Sequence, residues 1–72
     1  MTRIYFEKAG FRSFHRAFTE MRKLKTKFNL HCKVIENADG TAYLSITSVN
    51  EKSQRLLREL GFNEVKVETM FK

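Results

Sequence analysis

Seventy-two residues, 42% of them hydrophobic and including seven Phe, three Met and two Tyr, supply one modest core and exclude a disordered chain. A chain of this size buries only about 60% of its unfolded surface, which excludes a second core and leaves residues 1–72 as a single domain. Fourteen Lys and Arg against eight Asp and Glu leave a net charge of +6, which serves solubility or selects an anionic partner.

Thr2 to Glu7 alternates, with Ile4 and Phe6 on one side and Arg3 and Tyr5 on the other, the pattern of a strand with one buried face. Gly10 is expected to break it, and Ser13 to cap a helix. Phe14, Ala17, Phe18, Met21, Leu24 and Phe28 then recur at three- and four-residue steps. That spacing predicts an amphipathic helix of about four turns, its Phe stripe facing the core, with Asn29 at its end. Leu30 to Glu36 and Thr41 to Thr47 are alternating runs separated by Asn37-Ala38-Asp39-Gly40, a hairpin signal. Leu30, Cys32 and Val34 should face the core from one strand, and Ala42, Leu44 and Ile46 from the other. Ser48 with Glu51 offers a capping box for a second helix, with Asn50 as the competing cap. Leu56, Leu57 and Leu60 form its inner face. Gly61 stands where a left-handed residue closes a helix, and Phe62 can fold back onto Leu57. A last strand alternates Val65 and Val67 with Glu64, Lys66 and Glu68.

Strand–helix–strand–strand–helix–strand order with short connections is the order of the split βαβ, ferredoxin-like architecture. The expected class is therefore α+β, with a four-stranded antiparallel sheet and two helices on one face. Strand parity then places Arg3, Tyr5, His31, Lys33, Ile35, Tyr43, Ser45 and Lys66 on the uncovered face. Two tyrosines among cations make a platform on which bases stack, at roughly 1–3 kcal/mol per base. Arg12, Arg16, Lys23 and Lys27 form a second basic ridge on the first helix, opposite the Phe stripe, with Arg22 on a flank. A solvated helix face and a solvated sheet face have the same signatures.

At Ile4-Tyr5-Phe6 and Asp39-Gly40-Thr41-Ala42-Tyr43-Leu44-Ser45-Ile46 the chain resembles the RNA-recognition motif. The second segment keeps that family's glycine, small residue, one aromatic and aliphatic. It departs at Asp39, where the family has a basic residue, and at Thr41 and Ile46, where it has aromatics. The resemblance implies single-stranded RNA binding with Tyr5 and Tyr43 as the stacking pair. A second resemblance covers residues 50–62, where Asn50, Ser53, Leu56-Leu57 and Leu60-Gly61-Phe62 look like the C-terminal motif of GNAT-type N-acetyltransferases. That family's tyrosine acid is Leu57 here, and no glycine-containing pyrophosphate loop precedes the first helix. A non-catalytic remnant is what this likeness leaves open, beside plain helix packing.

No catalytic constellation is present in the pattern. His31 and Cys32 are adjacent, so in a strand they point to opposite faces and cannot share a metal. His15 lacks an evident partner, and Glu7, Glu36, Glu64 and Glu68 are scattered. No enzyme activity, cofactor or metal is expected. The single cysteine, Cys32, excludes an intramolecular disulfide and fits a reducing compartment. No apolar run approaches the roughly 18 residues that span a bilayer. The first residues lack the apolar core of a signal peptide, so a cytoplasmic location without membrane attachment is expected. The partner is expected to be nucleic acid, single-stranded, or an acidic protein. Tyr5, Ile35 and Tyr43 are the expected anchors of a protein-interaction module, a small regulator or inhibitor, in a homodimer or on a partner protein.

Overall fold

A computed structural model describes residues 1–69 of the chain. It contains β1 (Thr2–Phe11), α1 (Phe14–Phe28), β2 (Lys33–Glu36), β3 (Ala42–Ser48), α2 (Glu51–Glu59) and β4 (Asn63–Thr69). The four strands form one open antiparallel sheet in the order β2-β3-β1-β4, the α+β, ferredoxin-like βαββαβ arrangement. The chain divides into two compact units, one of Met1–Lys8 with the described residues from Ile46 onward, the other of Ala9–Ser45.

In the first unit the core comprises Ile4, Phe6, Leu57 and Phe62, with Phe6 and Leu57 fully buried. Each such side chain contributes about 1.5–3 kcal/mol by leaving water. Asn50, rather than Ser48, caps α2. Its Oδ1 accepts from the Lys52 and Ser53 backbone N–H groups at 2.8 and 3.1 Å, while Ser48 Oγ accepts from the Asn50 N–H at 3.3 Å. At the other end Gly61 takes φ +90°. The Phe62 N–H bonds to the Leu57 carbonyl at 3.0 Å and the Gly61 N–H to that of Arg58 at 3.1 Å. This is the closing motif in which a left-handed residue satisfies the last carbonyls of a helix. Buried Gln54 spends both amide protons on carbonyls, those of Thr2 and Ser48, each at 3.0 Å. α2 is thereby tied to the start of β1 and the end of β3.

β4 departs from the simple alternation expected of it. Tyr5 lies opposite Lys66, but Phe6 lies opposite Glu64, so Val65 is an extra residue in the ladder. A bulge of this kind reverses the facing of what precedes it. Glu64 no longer shares a face with Lys66 and Glu68. Its Oε1 accepts from Arg58 Nε at 2.9 Å and from Arg58 Nη2 at 2.6 Å.

In the second unit Ala17, Leu24, Leu30, Cys32, Ala42 and Leu44 are buried, and α1 packs against β2. Ser13 Oγ caps α1 by accepting from the Arg16 N–H at 3.3 Å. Asn29, left-handed at φ 58°, ends the helix with its N–H on the Lys25 carbonyl. Gly10 does not break β1 as expected. It adopts φ +100° within the strand, because a residue without a Cβ absorbs a bend while the strand continues. β2 begins at Lys33 rather than Leu30, although Leu30 and Cys32 are buried as the alternation required. Val34 faces Leu44 and Glu36 faces Ala42, leaving residues 37–41 as the hairpin loop. Asp39 Oδ1 accepts from the Thr41 N–H at 3.0 Å and also from its hydroxyl. Those two bonds hold the Asp39 carboxyl below its usual range. Burial, with Glu20 second, pushes the Cys32 thiol up to about 11.

The expected Phe-rich core is only partly formed. Ala17 and Leu24 are the buried residues of α1, whereas Phe14, Phe18 and Phe28 are 45%, 38% and 40% exposed. At about 100° per residue Ala17 and Leu24 fall on nearly one line, with Phe14 and Phe18 well round from it. The apolar stripe is wider than the surface that covers it.

Candidate ligand-binding surfaces

In the first unit the β1–β4 register sets Arg3 opposite Glu68 and Tyr5 opposite Lys66, so four functional groups share one face. The Tyr5 hydroxyl donates to Glu68 Oε1 at 2.8 Å. Arg3 Nη1 lies 3.7 Å from the same oxygen, and Lys66 Nζ is 3.6 Å from Oε2. Lys66 Nζ also stands 5.4 Å from the centre of the Tyr5 ring, a cation–π distance. The Tyr5 hydrogen bond, followed by Lys66 and Arg3, holds the Glu68 carboxyl below the usual range. The structure therefore brings Arg3, Tyr5 and Lys66 together, but around an anion absent from the expected set. Glu68 shares strand parity with Lys66, and that was the available signal; the cross-strand offset that puts it beside Arg3 was not. The cluster's two cations share one carboxylate, and one face of Tyr5 is occupied by an ammonium.

In the second unit the register pairs Lys33 with Ser45 and Ile35 with Tyr43, as strand parity required. Tyr43 and Ile35 are half-buried, while Lys33 is exposed. His31 is exposed two residues ahead of β2.

The ridge of Arg12, Arg16, Lys23 and Lys27 lies on α1 and on the residues that lead into it, and every member is exposed. Arg22 and Lys25 are exposed on the same helix, and Glu20 is its one carboxylate. Among the described residues none of these six cations makes an ion pair. Such a face costs stability. No acid sits in the first turn, where the helix dipole favours one. Lys23 and Lys27, four residues apart, repel by a few tenths of a kcal/mol. Two shallow hollows run along α1, and the first joins Lys23 and Lys27 to Phe18 in one wall, although the spacing had set the ridge opposite the Phe stripe. One of about 480 Å³ has Phe18, Arg22, Lys23 and Lys27 in its wall, and one of about 570 Å³ has Arg12, Arg16 and Lys23.

Among the described residues no group of three His, Cys, Asp or Glu side chains is placed to hold a metal, and no helix is long and apolar enough to cross a membrane. In residues 50–62 the position of the acetyltransferase tyrosine is Leu57, a fully buried core residue, and Gly61-Phe62 closes the helix. Comparison of the chain with protein-family models, with curated proteins and with solved structures found no match.

Proposed function

We propose that the protein is a nucleic-acid-binding protein that grips the phosphate backbone with α1. The observation that carries this reading is the set of six exposed cations, Arg12, Arg16, Arg22, Lys23, Lys25 and Lys27, spread along one helix and its lead-in, none of them ion-paired among the described residues. Like charges held together against their own repulsion suit a polyanion, which releases its counterions on binding. The sheet-face residues Arg3, Tyr5 and Lys66 in one unit, and His31, Lys33 and Tyr43 in the other, are secondary contacts on this reading. Glu68 weakens the first of these sets as an anion site. The protein acts as a binder rather than an enzyme, in a reducing, cytoplasmic setting where Cys32 stays a thiol.

Fluorescence anisotropy with a labelled 20-nucleotide oligo(U) tests the reading. Four phosphates neutralised by Arg12, Arg16, Lys23 and Lys27 give a slope of log K against log salt near −3. That is a loss of about 50-fold between 50 and 200 mM salt. Arg16→Glu, Lys23→Glu and Lys27→Glu together should abolish binding, while Tyr5→Ala should change it little. Affinity that survives the triple reversal refutes the proposal.

A second reading, self-association, is favoured by β4. This edge strand of the sheet leaves Val65 and Val67 54% and 56% exposed and presents an unpaired backbone edge. Antiparallel pairing of two copies about Val67 sets Lys66 of each opposite Glu68 of the other, whereas pairing about Lys66 opposes like charges. The sequence of β4 thus selects one register for a dimer.

A further inference from the structure

Phe14 and Phe18 stand one turn apart on α1, both exposed, their ring centres 6.1 Å apart and their planes inclined by 19°. They form a stacked pair at the surface, where burial would have been the favourable state for either ring. Phe18 belongs to the 480 Å³ hollow together with His15, Arg22, Lys23 and Lys27. It also belongs to a neighbouring hollow of about 470 Å³ with Met21, Arg22 and Lys25. An apolar wall with a cationic rim on both sides fits a ligand that is itself flat, apolar and anionic at its margins. Strung nucleotides have that chemistry, with bases for the rings and phosphates for the cations.

We propose that Phe14 and Phe18 are a stacking platform for unpaired bases, so that the ligand of α1 is a single strand. This rests on the nucleic-acid reading above and adds to it the discrimination between single strand and duplex. In a duplex the bases stack on one another and present only their edges and the backbone. Such a ligand reaches the cations but not the faces of the rings. The platform lies wholly on α1 and involves neither Tyr5 nor Tyr43.

The test measures the full chain and its Phe14→Ala, Phe18→Ala and Phe18→Trp variants, with circular dichroism to show that each is folded. The probes are a 20-nucleotide oligo(U) and a 20-base-pair RNA duplex. Each alanine variant should lose about 5- to 150-fold in affinity for oligo(U), with the salt slope and the duplex affinity unchanged. Phe18→Trp should retain binding, with its indole emission quenched as bases stack on it. Unchanged oligo(U) affinity in both alanine variants overturns the platform, as does an equal loss for strand and duplex. If the triple charge reversal still abolishes binding in that event, the nucleic-acid reading stands without the platform. If the reversal has no effect, it is the nucleic-acid reading that fails. Tighter binding of an Asp- and Glu-rich amphipathic peptide than of oligo(U), lost in Phe18→Ala, assigns the face to an acidic protein and overturns the proposal.

Discussion

Replacing Gln54 with Met tests whether its side-chain amide ties α2 to the strands. The two side chains are of similar length, and the change removes both donors. The Ser48 carbonyl, whose bond to Gln54 is buried, loses that donor, at a cost of about 1–3 kcal/mol. The Thr2 carbonyl is only part-buried, so water replaces the lost bond at a net cost of about 1 kcal/mol. The added apolar burial returns roughly 1 kcal/mol, which leaves a net loss of about 2 kcal/mol. A chain of this length has on the order of 4–10 kcal/mol in total, so Tm should fall by about 8–16 °C. Urea melts followed by circular dichroism measure the difference directly. Gln54→Glu supplies a control of different pH dependence. Its ionised carboxylate faces two carbonyls, which raises its folded pKa, so stability is present at low pH and is lost as pH rises. A Gln54→Met midpoint equivalent to less than about 0.5 kcal/mol of destabilisation would show that the two bonds contribute nothing net.

Glu68 has its folded pKa depressed, first by the Tyr5 hydroxyl and then by Lys66 and Arg3. Its contribution is present above the unfolded carboxylate pKa and disappears as pH falls through the lower folded value. Glu68→Gln should flatten the acid limb of stability against pH, and an unaltered limb in urea melts below pH 5 refutes the assignment. For β4 pairing about Val67, analytical ultracentrifugation should show a monomer–dimer equilibrium that Val67→Lys shifts to monomer. A monomer at every concentration, before and after that change, rules the dimer out.

The parts of the fold that depend on local chemistry were legible in the chain. Ser13, Asn29 and Gly61 act where their side chains or their tolerance of positive φ place them, and the alternation around Leu30, Cys32, Ala42 and Leu44 marks buried positions. What depends on the offset between distant strands was not. Periodicity within β4 cannot reveal that Val65 is bulged, so Glu64 turns to Arg58 and Glu68 to Arg3 and Tyr5 without a local sign of either partner. The exposure of Phe14 and Phe18 is similar in kind. A helical stripe records how many apolar residues are available, not how wide a surface exists to cover them. Gln54 reads as an ordinary polar helix residue until the backbone of Thr2 is brought to it.

The phenol of Tyr5 has an optical consequence. The chain has no Trp and two Tyr, and one tyrosine falls in each compact unit. Tyr5 carries a carboxylate acceptor on its hydroxyl and an ammonium over its ring, whereas Tyr43 stands across from the aliphatic side chain of Ile35. The two chromophores are therefore inequivalent, and single Tyr→Phe variants separate their signals. Each unit then has its own intrinsic emission, and coincident or staggered melting of the two emissions reports whether the units unfold as one.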